Sequence, residues 1–66
     1  MRLMINGEQR TVAQAETVAR LLAELDLDPR AVVVELNRVI IRRPALASTA
    51  LAEGDSVEIV HFVGGG

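Results

Sequence analysis

Few groups in this chain could carry covalent chemistry. It has no cysteine and a single histidine. That removes thiolate nucleophiles, disulfides and thiolate metal sites, and one imidazole cannot build a metal site or a catalytic triad alone. What remains lies at the end, in His61-Phe62-Val63-Gly64-Gly65-Gly66, where three glycines close the sequence. Glycine lacks a Cβ, so such a tail is thin and conformationally free, and a channel too narrow for ordinary side chains would admit it. The tail carries the α-carboxylate of Gly66 with no branch beside it. This tethered carboxylate is the expected reactive group, with Gly64 and Gly65 as its tail. Terminal glycines also occur as disordered ends and as cloning scars. A scar usually brings serine or tag residues, whereas here an apolar run passes straight into glycine.

A reactive end needs a scaffold to present it. Leu3 and Ile5 alternate with polar neighbours, as in a half-buried strand. Asn6-Gly7 then supplies the strongest two-residue hairpin signal, because both positions accept positive φ, and 8–13 reads as the returning strand. Thr17 is an N-cap candidate for a helix over 18–27. Val18, Leu21, Leu22 and Leu25 fall on one stripe of that helix, and Arg20 lies four residues before Glu24, a spacing that allows a weak pair. Pro29 is the expected stop, since it drives Asp28 out of the α region. Residues 31–36 are rich in β-branched side chains and read as a mostly buried strand. Asn37-Arg38 reads as a tight turn, 39–41 as a short strand ended by Arg42-Arg43-Pro44, and 45–51 as a loop with a helical turn. Gly54 marks a turn before a last strand over 56–63.

On that last strand Val57 and Ile59, with His61 at the rim, share the face toward the helix, while Glu58, Val60 and Phe62 share the other. One helix covers only one side of a sheet. Val60, Phe62 and Val63 therefore read as a partner-binding patch beside the tail, with Phe62, the only aromatic residue, as its anchor. The alternative for Phe62 is burial over the sheet edge.

Composition narrows the functional classes. With 66 residues the chain is one domain, 1–66, whose segment 63–66 is the flexible tail. The net charge is -2, all seven cations are arginines, and there is no basic stripe with aromatic platforms, which argues against nucleic-acid binding. No apolar run is long enough to span a bilayer, and no signal-peptide core opens the sequence, so a cytoplasmic protein is expected. Arg42-Arg43 reads first as a solvated edge and second as a docking contact.

The order β-β-α-β-β-β places an α+β fold in view: a mixed sheet of about five strands on one helix, with the first and last strands together at the centre. This is the β-grasp arrangement of ubiquitin-like proteins. The run from Gly54 through Val57-Glu58-Ile59-Val60-His61-Phe62-Val63 to Gly66, the Asn6-Gly7 hairpin, the Thr17-Val18 helix start and Val32-Val33-Val34-Glu35-Leu36-Asn37 resemble the ThiS family, the sulfur carriers of thiamine biosynthesis. The resemblance covers essentially the whole chain. It implies a protein co-substrate rather than an enzyme. An E1-like adenylating enzyme would activate Gly66 with ATP, and a cysteine desulfurase or other persulfide donor would convert it to a thiocarboxylate. Thiazole synthase would then accept the sulfur. Gly65 and Gly66 match the family's diglycine.

The residues fit such a cycle on their own terms. A carboxylate becomes electrophilic only once an oxygen is made a good leaving group, which adenylation does. The only glycine cluster is the tail, with no helix or lysine after it, so it is no phosphate-binding loop. No cofactor is expected on this chain, and ATP belongs to the activating partner. With no cysteine, sulfur has only the terminal carbonyl to ride on. The tail chemistry alone also suits a carrier for molybdopterin synthesis or tRNA thiolation, or a small protein modifier. A ubiquitin-like interaction module with an inert tail is the alternative of a different class.

Overall fold

The computed structural model describes residues 1–13 and 15–62. Five strands, β1 (Arg2–Ile5), β2 (Glu8–Thr11), β3 (Val32–Leu36), β4 (Val39–Ile41) and β5 (Ser56–His61), form one mixed sheet in the order β2-β1-β5-β3-β4. Helix α1 (Val18–Glu24) covers one face. The β-grasp expected from the sequence is the fold observed. β5 is the central strand, parallel to β1 and antiparallel to β3.

Both hairpins turn on two residues with positive φ: Asn6 (51°) with Gly7 (83°), and Asn37 (50°) with Arg38 (72°). Such turns match the right-handed twist of the strands they join. The returning strand β2 ends at Thr11, two residues short of the expected boundary, and all four of its residues are exposed. It is a polar edge strand, which discourages pairing with other chains.

Helix α1 begins as expected. Thr17 Oγ1 accepts from the Arg20 N–H at 3.2 Å. It ends earlier than its leucine stripe suggests, and Pro29 is not what stops it. Asp26 takes φ 61°, the Asp26 N–H donates to Ala23 O, and the Leu27 N–H donates to Leu22 O. These two bonds are a Schellman closure with aspartate in the left-handed position usually held by glycine. Leu25 and Leu27 pack against the core from this turn. Pro29 instead opens a 3-10 turn, Pro29–Ala31, capped by Asp28. The Glu24 carboxylate, expected beside Arg20, accepts from the Ala13 N–H at 2.9 Å and ties the helix to the segment after β2.

The core lies between α1 and one sheet face. Val18, Leu21 and Leu22 meet Leu3, Ile5, Val32, Val34, Val57 and Ile59. The helical turn expected within 45–51 is a 3-10 helix that starts earlier, Arg43–Ser48, and buries Leu46 at the edge of the same core.

Candidate functional site

The site is built on the end of β5. Strand parity sends Val57 and Ile59 into the core and leaves Val60 and Phe62 on the face without a helix, where they are 59% and 47% exposed. Val60 lies directly opposite Val33 on β3. The Phe62 N–H donates to Ala31 O at 3.2 Å, which extends the β3–β5 pairing past His61. The ring of Phe62 borders a cleft with Pro29, Val33, Ile40, Arg42 and Pro44. It is thus neither fully buried over the edge nor free of the sheet. Val63, Gly64, Gly65 and Gly66 lie outside the described residues. His61 is exposed on the helix side of the sheet, bordering a shallow hollow with Leu25, Leu27 and Arg10. It is a rim residue.

Two asparagines lock β5 in place, a role that the hairpin reading of Asn6 and Asn37 did not reveal. β1 ends at Ile5, yet the parallel pairing continues through a side chain. Asn6 Oδ1 accepts from the Ile59 N–H at 2.7 Å, and Asn6 Nδ2 donates to Ile59 O at 3.1 Å. The carboxamide stands in for the next peptide of a strand that has already turned away. Asn37 braces the start of β5. Its Oδ1 accepts from the Ser56 N–H at 3.0 Å, and its Nδ2 donates to Asp55 Oδ1 at 3.1 Å. Asp55 Oδ2 accepts from the Ala52 N–H, closing the turn before β5. The signal was available, since asparagine tolerates positive φ and carries a peptide-like amide, but its partner depends on strand order.

The charge pattern of the open face was equally hidden. Glu35 and Glu58 are directly opposite each other on β3 and β5. Like charges so placed are destabilising, and among the described residues neither carboxylate makes a hydrogen bond or salt bridge. Arg42 and Arg43 follow β4 at the Phe62 end of the sheet and line the cleft there. Elsewhere the ionic contacts are local and exposed. Arg30 holds the Asp28 carboxyl below its ordinary range, chiefly through a side-chain hydrogen bond. The backbone N–H and side chain of Arg2 do the same for Glu53.

This arrangement presents a strand end. Among the described residues no group of three His, Cys, Asp or Glu could hold a metal ion, and no helix is long and apolar enough to cross a membrane.

A five-stranded mixed sheet on one helix, with its central last strand leading into a glycine tail, defines a ubiquitin-like β-grasp protein. The sequence profile of the ThiS family matches residues 3–66, and the chain belongs to that family. A crystal structure of the thiamine biosynthesis protein ThiS from Geobacter metallireducens superposes with a TM-score of 0.84 at 40% identity, covering 100% of both chains. The sulfur carrier protein ThiS of Bacillus subtilis is 38% identical over 97% of this chain and 98% of its own length. A thiazole synthase from Paramagnetospirillum magneticum is 47% identical over all of this chain, which spans 20% of that protein's length. A second thiazole synthase, from Magnetococcus marinus, is 36% identical over the same share.

Proposed function

We propose that this chain is the sulfur carrier of thiazole formation in thiamine biosynthesis. Its working group is the α-carboxylate of Gly66, presented as the terminus of the mature carrier. An E1-like enzyme transfers adenylate from ATP to that carboxylate, releasing pyrophosphate. The terminal sulfur of a persulfide donor, such as a cysteine desulfurase, then attacks the acyl adenylate as AMP leaves. A thiol reductant cleaves the resulting acyl disulfide, releasing the thiocarboxylate and leaving a disulfide on the thiol side. The resulting thiocarboxylate delivers its sulfur to thiazole synthase. The chain itself binds no ATP and acts as co-substrate. Val60, Phe62 and Val63 form the docking patch for the activating enzyme.

The observation that carries this reading is the ThiS-family match, which runs through Gly64, Gly65 and Gly66 to the last residue. Geometry supports it. β5 is paired on both sides at its start, held by asparagine side chains at Ser56 and Ile59, and bonded to β3 and Ala31 as far as Phe62. Extended, each following residue adds at most roughly 3.3–3.6 Å, so the three glycines reach on the order of a nanometre beyond Val63. That suits a recessed nucleotide site. The fusion-sized thiazole synthases support the choice of acceptor over molybdopterin or tRNA pathways.

The test is thiocarboxylate formation, read by intact mass, with ATP, the activating enzyme and a sulfur donor. Deleting Gly66 draws the carboxylate back by one residue, and a misplacement of about 1 Å can cost on the order of a hundredfold in rate. Gly65→Val keeps the carboxylate but widens the tail and is expected to fail as well. A chain lacking Gly66 that gains sulfur as fast as the full-length protein would establish the inert interaction module instead.

A further inference from the structure

The open sheet face is graded along the strand direction. At the start is the opposed pair Glu35 and Glu58, with Ile40 of β4 on the other side of Glu35; next comes the apolar row Val33 and Val60; Phe62, Arg42 and Arg43 stand at the tail end. Successive rows on one face are two residues apart, about 7 Å. Four of the exposed large apolar side chains of the described chain, Val33, Ile40, Val60 and Phe62, belong to this surface.

We infer that this face seats thiazole synthase in a single orientation, with a cation of the synthase over Glu35 and Glu58 and a carboxylate of the synthase facing Arg42 and Arg43. The inference rests on the sulfur-carrier reading above. The charge pattern of this face argues for it. In the free chain the Glu35–Glu58 pair is a standing repulsion without a neutralising neighbour, and an incoming cation converts it into attraction on both sides. Like-signed groups at each end would oppose a reversed approach, because juxtaposed like charges disfavour the wrong pairing. The choice of thiazole synthase comes from the relatives in which a segment matching this whole chain occupies 20% of a thiazole synthase. Joined in one polypeptide, the two would meet at high effective concentration, so a modest, orienting surface suffices. The orientation brings the tail end of β5 to the acidic side of the synthase contact.

The test uses the full chain and the thiazole synthase of the same cell, with association rates measured at low and high salt. Glu35→Lys is expected to slow association roughly tenfold at low salt and to flatten its salt dependence, as loss of electrostatic steering does. The same substitution sets an ammonium group opposite Glu58, an attractive cross-strand pair, so its urea midpoint is expected to rise. A merely structural role for Glu35 would not move stability and binding in opposite directions. Glu58→Lys is expected to behave alike, and Arg42→Glu to slow association from the other end. Glu16→Lys, exposed before the helix, is the control with unchanged rate. Association rates of Glu35→Lys and Arg42→Glu equal to that of Glu16→Lys, or faster than the parent, overturn the inference. Sulfur loading of the parent chain reads the carrier function separately: a chain that loads normally yet meets the synthase with indifference to these charges retains that function and loses this docking surface.

Discussion

Asn6 is expected to be among the most stability-determining polar residues of the domain, and three substitutions separate its two jobs. Asn6→Gly removes both hydrogen bonds to Ile59 while keeping the backbone at ease at φ 51°. Each bond contributes about 0.5–1.5 kcal/mol net, and glycine adds about 0.4–1 kcal/mol through the freer unfolded chain. The expected loss is about 1–4 kcal/mol. Asn6→Ala removes the same bonds and keeps a Cβ in the left-handed region without the polar side chain that lets asparagine settle there, at about 1–2 kcal/mol. It is therefore expected to be the worse of the two, at about 2–5 kcal/mol. Asn6→Asp keeps the backbone conformation and the acceptor for the Ile59 N–H but turns a carboxylate oxygen toward Ile59 O, and is expected to lie between the parent and alanine.

These losses are large for a small domain, whose whole stability is roughly 0.05–0.15 kcal/mol per residue. Urea unfolding at constant m-value gives the ranking. Amide exchange gives the cause, because the Ile59 N–H has Asn6 as its acceptor: in Asn6→Gly its protection is expected to fall further than that of Leu21 in the helix. An Asn6→Gly protein with the parent's midpoint and a still-protected Ile59 amide would refute the clamp.

Leu21→Ala is expected to cost about 2–5 kcal/mol, because Leu21 has no exposed surface, whereas Leu25→Ala, at a half-buried position beyond the helix, is expected to cost less; urea midpoints decide the order. Arg38→Gly relieves a side chain held at φ 72° and is expected to raise stability by up to about 1 kcal/mol, read as a higher urea midpoint, whereas a lower midpoint would show that the Arg38 side chain contributes more than its backbone strain costs. Phe62→Ala is expected to weaken binding to the activating enzyme by about 1–2 kcal/mol with the fold intact, and global unfolding in its place would make Phe62 part of the core.

The sequence disclosed what depends on local chemistry. Asn6-Gly7 and Asn37-Arg38 were legible as turns because positive φ selects their residues, and Thr17 was legible as a cap because its hydroxyl acts on its own helix. The alternation of Val57, Ile59, Val60 and Phe62 divided β5 between two faces before any strand order was known. The helix end was misread because aspartate can adopt the left-handed closing position, and Asp26 carries a weaker signal there than glycine would. Pro29 attracted the boundary instead. The opposition of Glu35 and Glu58 depends on antiparallel register between segments more than twenty residues apart, and nothing within either strand announces it. Arg42 and Arg43 were legible as a pair but not as neighbours of Phe62, since that proximity requires β4 and β5 to flank β3 and run the same way.

Strand order also bears on how firmly the end of β5 is held. A tail hung from an edge strand such as β2 would share that strand's local opening, because only one neighbour holds it. β5 pairs with β1 at Ser56 and Val57 and with β3 from Val57 to His61, its inward residues Val57 and Ile59 sit in the core, and asparagine side chains hold it at Ser56 and at Ile59. Local opening of such a strand approaches the cost of unfolding the domain. The strand up to Phe62 then serves as a rigid mount. The open face belongs to that mount: Val60 lies on β5 itself, and Val33 and Ile40 lie on the strands paired beyond it. A partner that grips this face therefore fixes the root of the tail. Pre-set geometry of this kind lowers the ordering cost of docking.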